Sequence, residues 1–187
     1  PGAGSPANAN GQPAASHGGM GGDSPTPTYG SITAPSNLGS SAWDLGGGAV
    51  CLTVGGTAIV DGIVSAKAAV PGLAAGSGGS ILLIAGALDG SGLLDVSVPY
   101  TATPSNQRGG GGGRIAVKLT ASSLFGSVRM QAYGGRTSDG VFGAAGTVYR
   151  QTSAQTEGTG TLLIDNNGLA DFTATFVQSD RDVAVYS

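Results

Sequence analysis

The chain has 187 residues, which makes one domain the default and a repeat array the main rival, and its net charge is −3 with no basic run. That excludes nucleic acid as an expected partner. Glycine fills 36 positions, far above the ordinary share of about 7%, yet apolar residues still make up 40% and charged residues only 10%. Disordered chains lack such an apolar supply and carry more charge, so the reading is a folded protein with long glycine-rich loops.

In chain order, residues 1–45 come first as a Gly/Pro/Ser-rich loop segment. Pro1-Gly2-Ala3-Gly4-Ser5-Pro6 opens like a loop, which reads as a processed or truncated start. Tyr29-Gly30-Ser31 and Trp43 are its expected anchors. A loop of that length is normally functional or disordered.

Residues 46–168 form the expected β-repeat region. Four strand-like runs each follow a glycine: Gly48, Gly79, Gly113 and Gly146 are 31, 34 and 33 residues apart, a period of about 33. Aligned on these glycines, one column reads Val50, Ile81, Ile115, Val148. The next reads Leu52, Leu83, Val117, Arg150, and the third Val54, Ala85, Leu119, Thr152. Alternation by two is the strand period. The fourth repeat loses its apolar face, as a terminal repeat should.

A second strand follows each first one. It carries Val64 and Ala66, then Leu94, Val96 and Val98, then Val128, Met130 and Ala132, then Leu162 and Ile164. Val64, Leu94, Val128 and Leu162 lie 14, 13, 13 and 14 residues beyond the first column. The turns between contain Asp61-Gly62, Asp89-Gly90, Gly126-Ser127 and Gly158-Thr159, where glycine supplies positive φ. Stacking equivalent strands in parallel predicts an all-β fold: a β-solenoid, helix-like in its coiling, of about four repeats with two facing sheets. A β-sandwich is the alternative. The run Gly109–Gly113 reads as a loop that another backbone passes closely, because a single run cannot make a polyglycine bundle.

The tail, residues 169–187, is expected to supply a C-terminal strand, cap or inter-subunit contact. Val183 and Val185 alternate like a strand that could pair with a neighbouring copy.

The motifs His17-Gly18-Gly19-Met20-Gly21-Gly22, Tyr29-Gly30-Ser31, Leu45-Gly46-Gly47-Gly48-Ala49, Gly76-Ser77-Gly78-Gly79-Ser80-Ile81 and Gly109-Gly110-Gly111-Gly112-Gly113-Arg114-Ile115-Ala116-Val117 resemble the glycine-rich β-repeat segments of very large secreted and cell-surface proteins of bacteria and protists. The likeness runs from about Ser16 to about Asn167. It implies an extracellular, cell-surface location and a structural or adhesive role, and it carries no catalytic residues.

Chemistry is sparse. Cys51 is the lone cysteine and is expected to be half-buried. Its one conceivable catalytic partner is His17, which sits in a glycine loop, and one Cys with one His excludes a zinc site. Asp61 and Asp89 sit in turns and Asp95 on an outward strand position, so paired-carboxylate catalysis is not expected. Asp139-Gly140 and Asp165-Asn166-Asn167-Gly168 read as turns, not as a calcium loop. No Gly-Lys-Ser/Thr motif binds phosphate, no Thr-x-Thr ladder keeps register for ice, and no apolar run approaches membrane-spanning length. No cofactor is expected. Asn-x-Ser/Thr is absent, but Thr26, Thr28 and Thr103 are candidate O-glycosylation sites.

The expected function is therefore a non-catalytic structural subunit or module of an extracellular fibre, sheath or adhesin, with copies of itself or neighbouring modules as head-to-tail partners. The alternatives are a carbohydrate-binding adhesive tip, which would meet surface glycans through Tyr29, Trp43, Tyr100 and Tyr133, and a polysaccharide-active enzyme.

Overall fold

The computed structural model describes residues 13–24, 26–69, 75–100, 108–138 and 141–168. Its regular elements are all strands: β1 (Ala49–Ile59), β2 (Ile63–Ser65), β3 (Ser80–Asp89), β4 (Leu93–Asp95), β5 (Arg114–Leu119), β6 (Arg129–Gln131), β7 (Thr147–Gln151) and β8 (Thr161–Leu163). Among the described residues no helix is long and apolar enough to cross a membrane. Odd-numbered strands make one sheet in the order β1-β3-β5-β7-β8, and β2-β4-β6 make another. Consecutive pairs within β1-β3-β5-β7 and within β2-β4-β6 are parallel, and only β7-β8 is antiparallel.

The expected columns are register pairs. Val50 lies opposite Ile81, Ile81 opposite Ile115, and Ile115 opposite Val148; Leu52, Leu83, Val117 and Arg150 follow in the same way. Their apolar members meet Val64, Leu94 and Met130 of the second sheet in one core cluster, so the core lies between the sheets. In β1 the pair Gly55-Gly56 stands opposite the single Gly86, a bulge that restores the register by Thr57. Gly90, Gly126 and Gly158 hold positive φ in the turns, while Gly62 does not.

Two expected alignments need correction. Leu94 pairs with Met130, not Val128, because the connection from β5 to β6 is longer: Met130 lies 15 residues beyond Ile115, where Leu94 lies 13 beyond Ile81 and Val64 14 beyond Val50. Leu162 does not continue the second sheet. The chain turns at Gly158, and β8 folds back against β7 with Tyr149 opposite Leu162. The Tyr149 hydroxyl fixes this turn by accepting from Gly160 N at 2.9 Å and donating to Gln151 Oε1 at 2.8 Å. Arg150, which broke the apolar column, sits 5.3 Å over the Phe125 ring.

Other backbones pass the glycine run closely, as expected. Its backbone is bonded on several sides. Gly19 N donates to Gly112 O, Gly22 N to Gly109 O, Gly78 N to Gly111 O and Gly135 N to Gly110 O, while Gly109 N, Gly111 N, Gly112 N and Gly113 N donate to Val141 O, Ala15 O, Ala144 O and Val96 O. Segments from several parts of the chain thus surround Gly109–Gly113. The run's neighbours are other Gly- and Ala-rich segments distributed through the repeats, not a second long run. The reason for glycine is steric: a methyl group built on Gly112 would stand 1.9 Å from Ala132 O. Every side of the backbone is occupied by another backbone, which any Cβ would push away.

Residues 13–22 belong to this array, and Ile32 closes over Leu82, Ala116 and Tyr149 on the outer face of the first sheet. The N-terminal segment is therefore anchored by Ala15, His17 and Ile32, whereas Trp43 is 62% exposed.

Candidate functional site

Period-two alternation decides which groups leave the core. In the second sheet Leu94 and Val96 point inward, so Asp95 and Ser97 point outward, and in the next strand Gln131 and Tyr133 do the same. Asp95 pairs in register with Gln131, and Val98 N donates to Tyr133 O, which carries the ladder past the strand ends. Two polar rows about 4.8 Å apart thereby form the floor of a cleft. Its volume is about 490 Å³, and Lys67, Tyr100, Arg136 and Asn167 wall it.

Asp95 is on the outward face, as expected, but it is buried. Its carboxylate accepts from Ser97 N at 2.9 Å and meets Lys67 Nζ at 3.3 Å, which offsets the loss of water. The Arg136 guanidinium lies 5.8 Å over the Tyr100 ring. Burial and then the carboxylates of Asp165 and Asp95 push the Tyr133 hydroxyl above its ordinary range, against the opposing effects of Arg129 and Gln131. It stays a neutral donor at physiological pH. Asp165 Oδ1 accepts from Asn167 N at 2.8 Å, an Asx turn that puts Asn167 at the rim in left-handed backbone, φ 55.

Of the aromatic candidates, then, Tyr100 and Tyr133 converge and Tyr29 and Trp43 do not. Tyr29 is occupied structurally: its hydroxyl donates to Leu38 O at 2.7 Å, and its ring lies 4.6 Å from that of His17. Trp43 is exposed beside the exposed Leu45.

No protein family, curated protein or solved structure matches the chain. The site must therefore be read from its own chemistry.

The threonines fall differently. Thr26 is half-buried and its hydroxyl bonds Ser24 Oγ at 2.7 Å; Thr28 is buried, so its hydroxyl is not offered on an open loop; Thr103 lies outside the described residues, as do Val183 and Val185. Cys51 is exposed instead of half-buried, because Ile32 covers Leu82 and Ala116 in its column but does not reach β1. Asp61 and Asp89 are turn formers: Asp61 Oδ1 accepts from Ser91 N and Asp89 Oδ1 from Gly90 N.

The glycine neighbours of His17 signal a loop, but the side chain is fully buried. Nδ1 lies 2.8 Å from Gly78 O, so it carries the proton, and Nε2 has no hydrogen-bond partner. Burial is the main cause that lowers its pKa to about 4, aided by the charge of Arg114 and opposed by the Gly78 bond. Among the described residues no group of His, Cys, Asp and Glu is arranged to hold a metal.

Proposed function

We propose that this chain is a non-catalytic structural module of an extracellular fibre, sheath or adhesin, in which its two mostly parallel sheets are faces of an open β-solenoid that a neighbouring copy continues. The observation that carries this reading is β1. It has the sequence of an interior strand at an edge. Leu52 is 41% exposed, whereas its column-mates Leu83 and Val117 are 1% and 0% exposed. Ile59 and Ile63 nearby are 69% and 70% exposed. At the other end of the same sheet the chain supplies its own covering strand, β8. An eleven-residue edge with apolar side chains is a template for strand addition.

The alternating segment Asp182-Val183-Ala184-Val185-Tyr186 is the donor that the sequence offers. Sedimentation velocity and electron microscopy across a concentration series test the reading. Concentration-dependent, end-to-end particles are expected. Leu52→Lys, which places a charge on an edge position already open to water, should leave a folded monomer. Truncation after Asp180 should do the same if the tail is the donor. A wild-type chain that stays monomeric at every concentration would remove the basis for the proposal.

A further inference from the structure

We infer that the cleft over the second sheet is a binding site for an uncharged pyranose carrying a vicinal diol, and that it works in the monomer. This goes beyond the structural role and does not depend on assembly, since every lining group comes from one chain.

Lys67 and Asp95 are a donor and an acceptor 3.3 Å apart. Neighbouring hydroxyls on a sugar each donate and accept, so one such pair can satisfy two adjacent oxygens at once. The carboxylate is held in place by the Ser97 amide, so it has little freedom to lose on binding. Gln131 and Asn167 add amide groups that can donate or accept. Tyr100 and Tyr133 offer rigid aromatic surface to the C–H face of a ring. A concave site with aromatic walls and a few fixed polar groups is the general form of a small-molecule site.

Charge selects between sugars. The Lys67 charge is balanced by Asp95. Arg136 stacks on Tyr100 at the wall, and two carboxylates, Asp95 and Asp165, act on the Tyr133 hydroxyl. Both cations of the wall are already engaged, Lys67 by the Asp95 carboxylate and Arg136 by the Tyr100 ring, so the remaining amide and hydroxyl groups suit sugar hydroxyls and not a sugar carboxylate. Arg136 remains as a fork for ring or hydroxyl oxygens.

Isothermal titration and saturation-transfer NMR against neutral gluco-, manno-, galacto- and N-acetylglucosamine tetrasaccharides, with tetragalacturonate as the charged arm, test the assignment. Saturable binding of at least one neutral sugar is expected, unchanged by raising salt from about 0.05 to 0.5 M, where screening removes attraction between exposed charges. Tyr133→Ala should weaken it at least tenfold and Asp95→Asn at least fivefold, with Trp43→Ala without effect. Should Tyr133→Ala unfold, Tyr100→Ala on the exposed wall carries the same tenfold expectation. Absence of binding by every neutral sugar, binding confined to the uronate, or equal affinity in the folded tyrosine variant would each overturn the inference. None of these results depends on whether the chain forms filaments.

Discussion

Gly113→Ala tests the backbone packing most directly, because the same repeat position supplies its own control. A methyl group on Gly79 would stand 1.8 Å from Gly48 O, on Gly113 2.1 Å from Gly79 O, and on Gly146 1.8 Å from Gly113 O, whereas on Gly48 it meets open space. Ordinary contact begins near 3.4 Å, so alanine at 113 forces Gly79 O and the new methyl about 1.3 Å further apart (3.4 less 2.1). Gly79 O accepts from Arg114 N at 2.9 Å, and Gly113 N donates to Val96 O at 3.0 Å, so neither side can retreat freely. Losing two such buried bonds, each leaving a polar group unsatisfied at about 1–3 kcal/mol, costs on the order of 3 kcal/mol or more. For a chain of this size each kcal/mol moves the midpoint by about 2–4 °C, so Tm should fall by roughly 6–12 °C. Gly48→Ala should stay within about 1 kcal/mol of wild type, with any gain coming from a less flexible unfolded chain. Circular dichroism melts with urea titrations measure both. If Gly113→Ala melts with Gly48→Ala, the close approach of backbones is wrong.

Three further outcomes follow from placement. Leu83→Ala, at a fully buried column position, should cost about 2–5 kcal/mol, whereas Leu52→Ala at the open edge should cost under about 1 kcal/mol in the monomer; urea unfolding separates them. His17 has a folded pKa of about 4 against an ordinary 6.5, so the unfolded chain binds the extra proton first: stability should be full above pH 6.5 and decline as pH falls towards 4, by about 3 kcal/mol, and His17→Asn, whose amide can still donate to Gly78 O, should flatten that slope. Cys51→Ser should leave Tm within about 1 °C, because the thiol is exposed; the native thiol should react readily with a thiol reagent in the monomer and slowly in assembled material, if β1 is the contact.

The three columns could be read from sequence because side chains leave a periodic record. Val50, Ile81, Ile115 and Val148 recur at one position, and a shift by one residue would turn the whole set outward. The glycine array leaves no such record. Gly109–Gly113 has no side chains to show a period, and its partners, Ala15, Gly19, Gly78 and Ala144, are recognisable only by backbone bonds. His17 is obscured for the same reason: flanking glycines signal a loop, but here Gly18 and Gly19 let other backbones pack against the segment that carries the ring. The cleft was half legible. Tyr100 and Tyr133 were visible as aromatics and Asp95 as outward, yet nothing in their spacing brings Lys67, Gln131 and Asn167 to them. That requires the parallel pairing of β2, β4 and β6, and Met130 in place of Val128 shows how a longer turn obscures it.

Gly48 gives the assembly proposal its sharpest test. At 79, 113 and 146 an added methyl would strike a carbonyl of the preceding repeat, and Gly48 escapes because, among the described residues, no strand lies on the free side of β1. If a neighbouring copy continues the sheet in parallel and in register, that copy must bring its own carbonyl to the place Gly48 O occupies relative to Gly79. The crowding then returns at the contact. Gly48→Ala should leave the monomer's melt unchanged while weakening assembly by tenfold or more, since about 1.4 kcal/mol per contact corresponds to a factor of ten. An association through the exposed side chains alone, with no in-register strand, would not sense this methyl. Filaments of Gly48→Ala that form at wild-type concentrations would therefore rule out in-register continuation, while the response of Leu52→Lys would still report whether the β1 edge is the surface used.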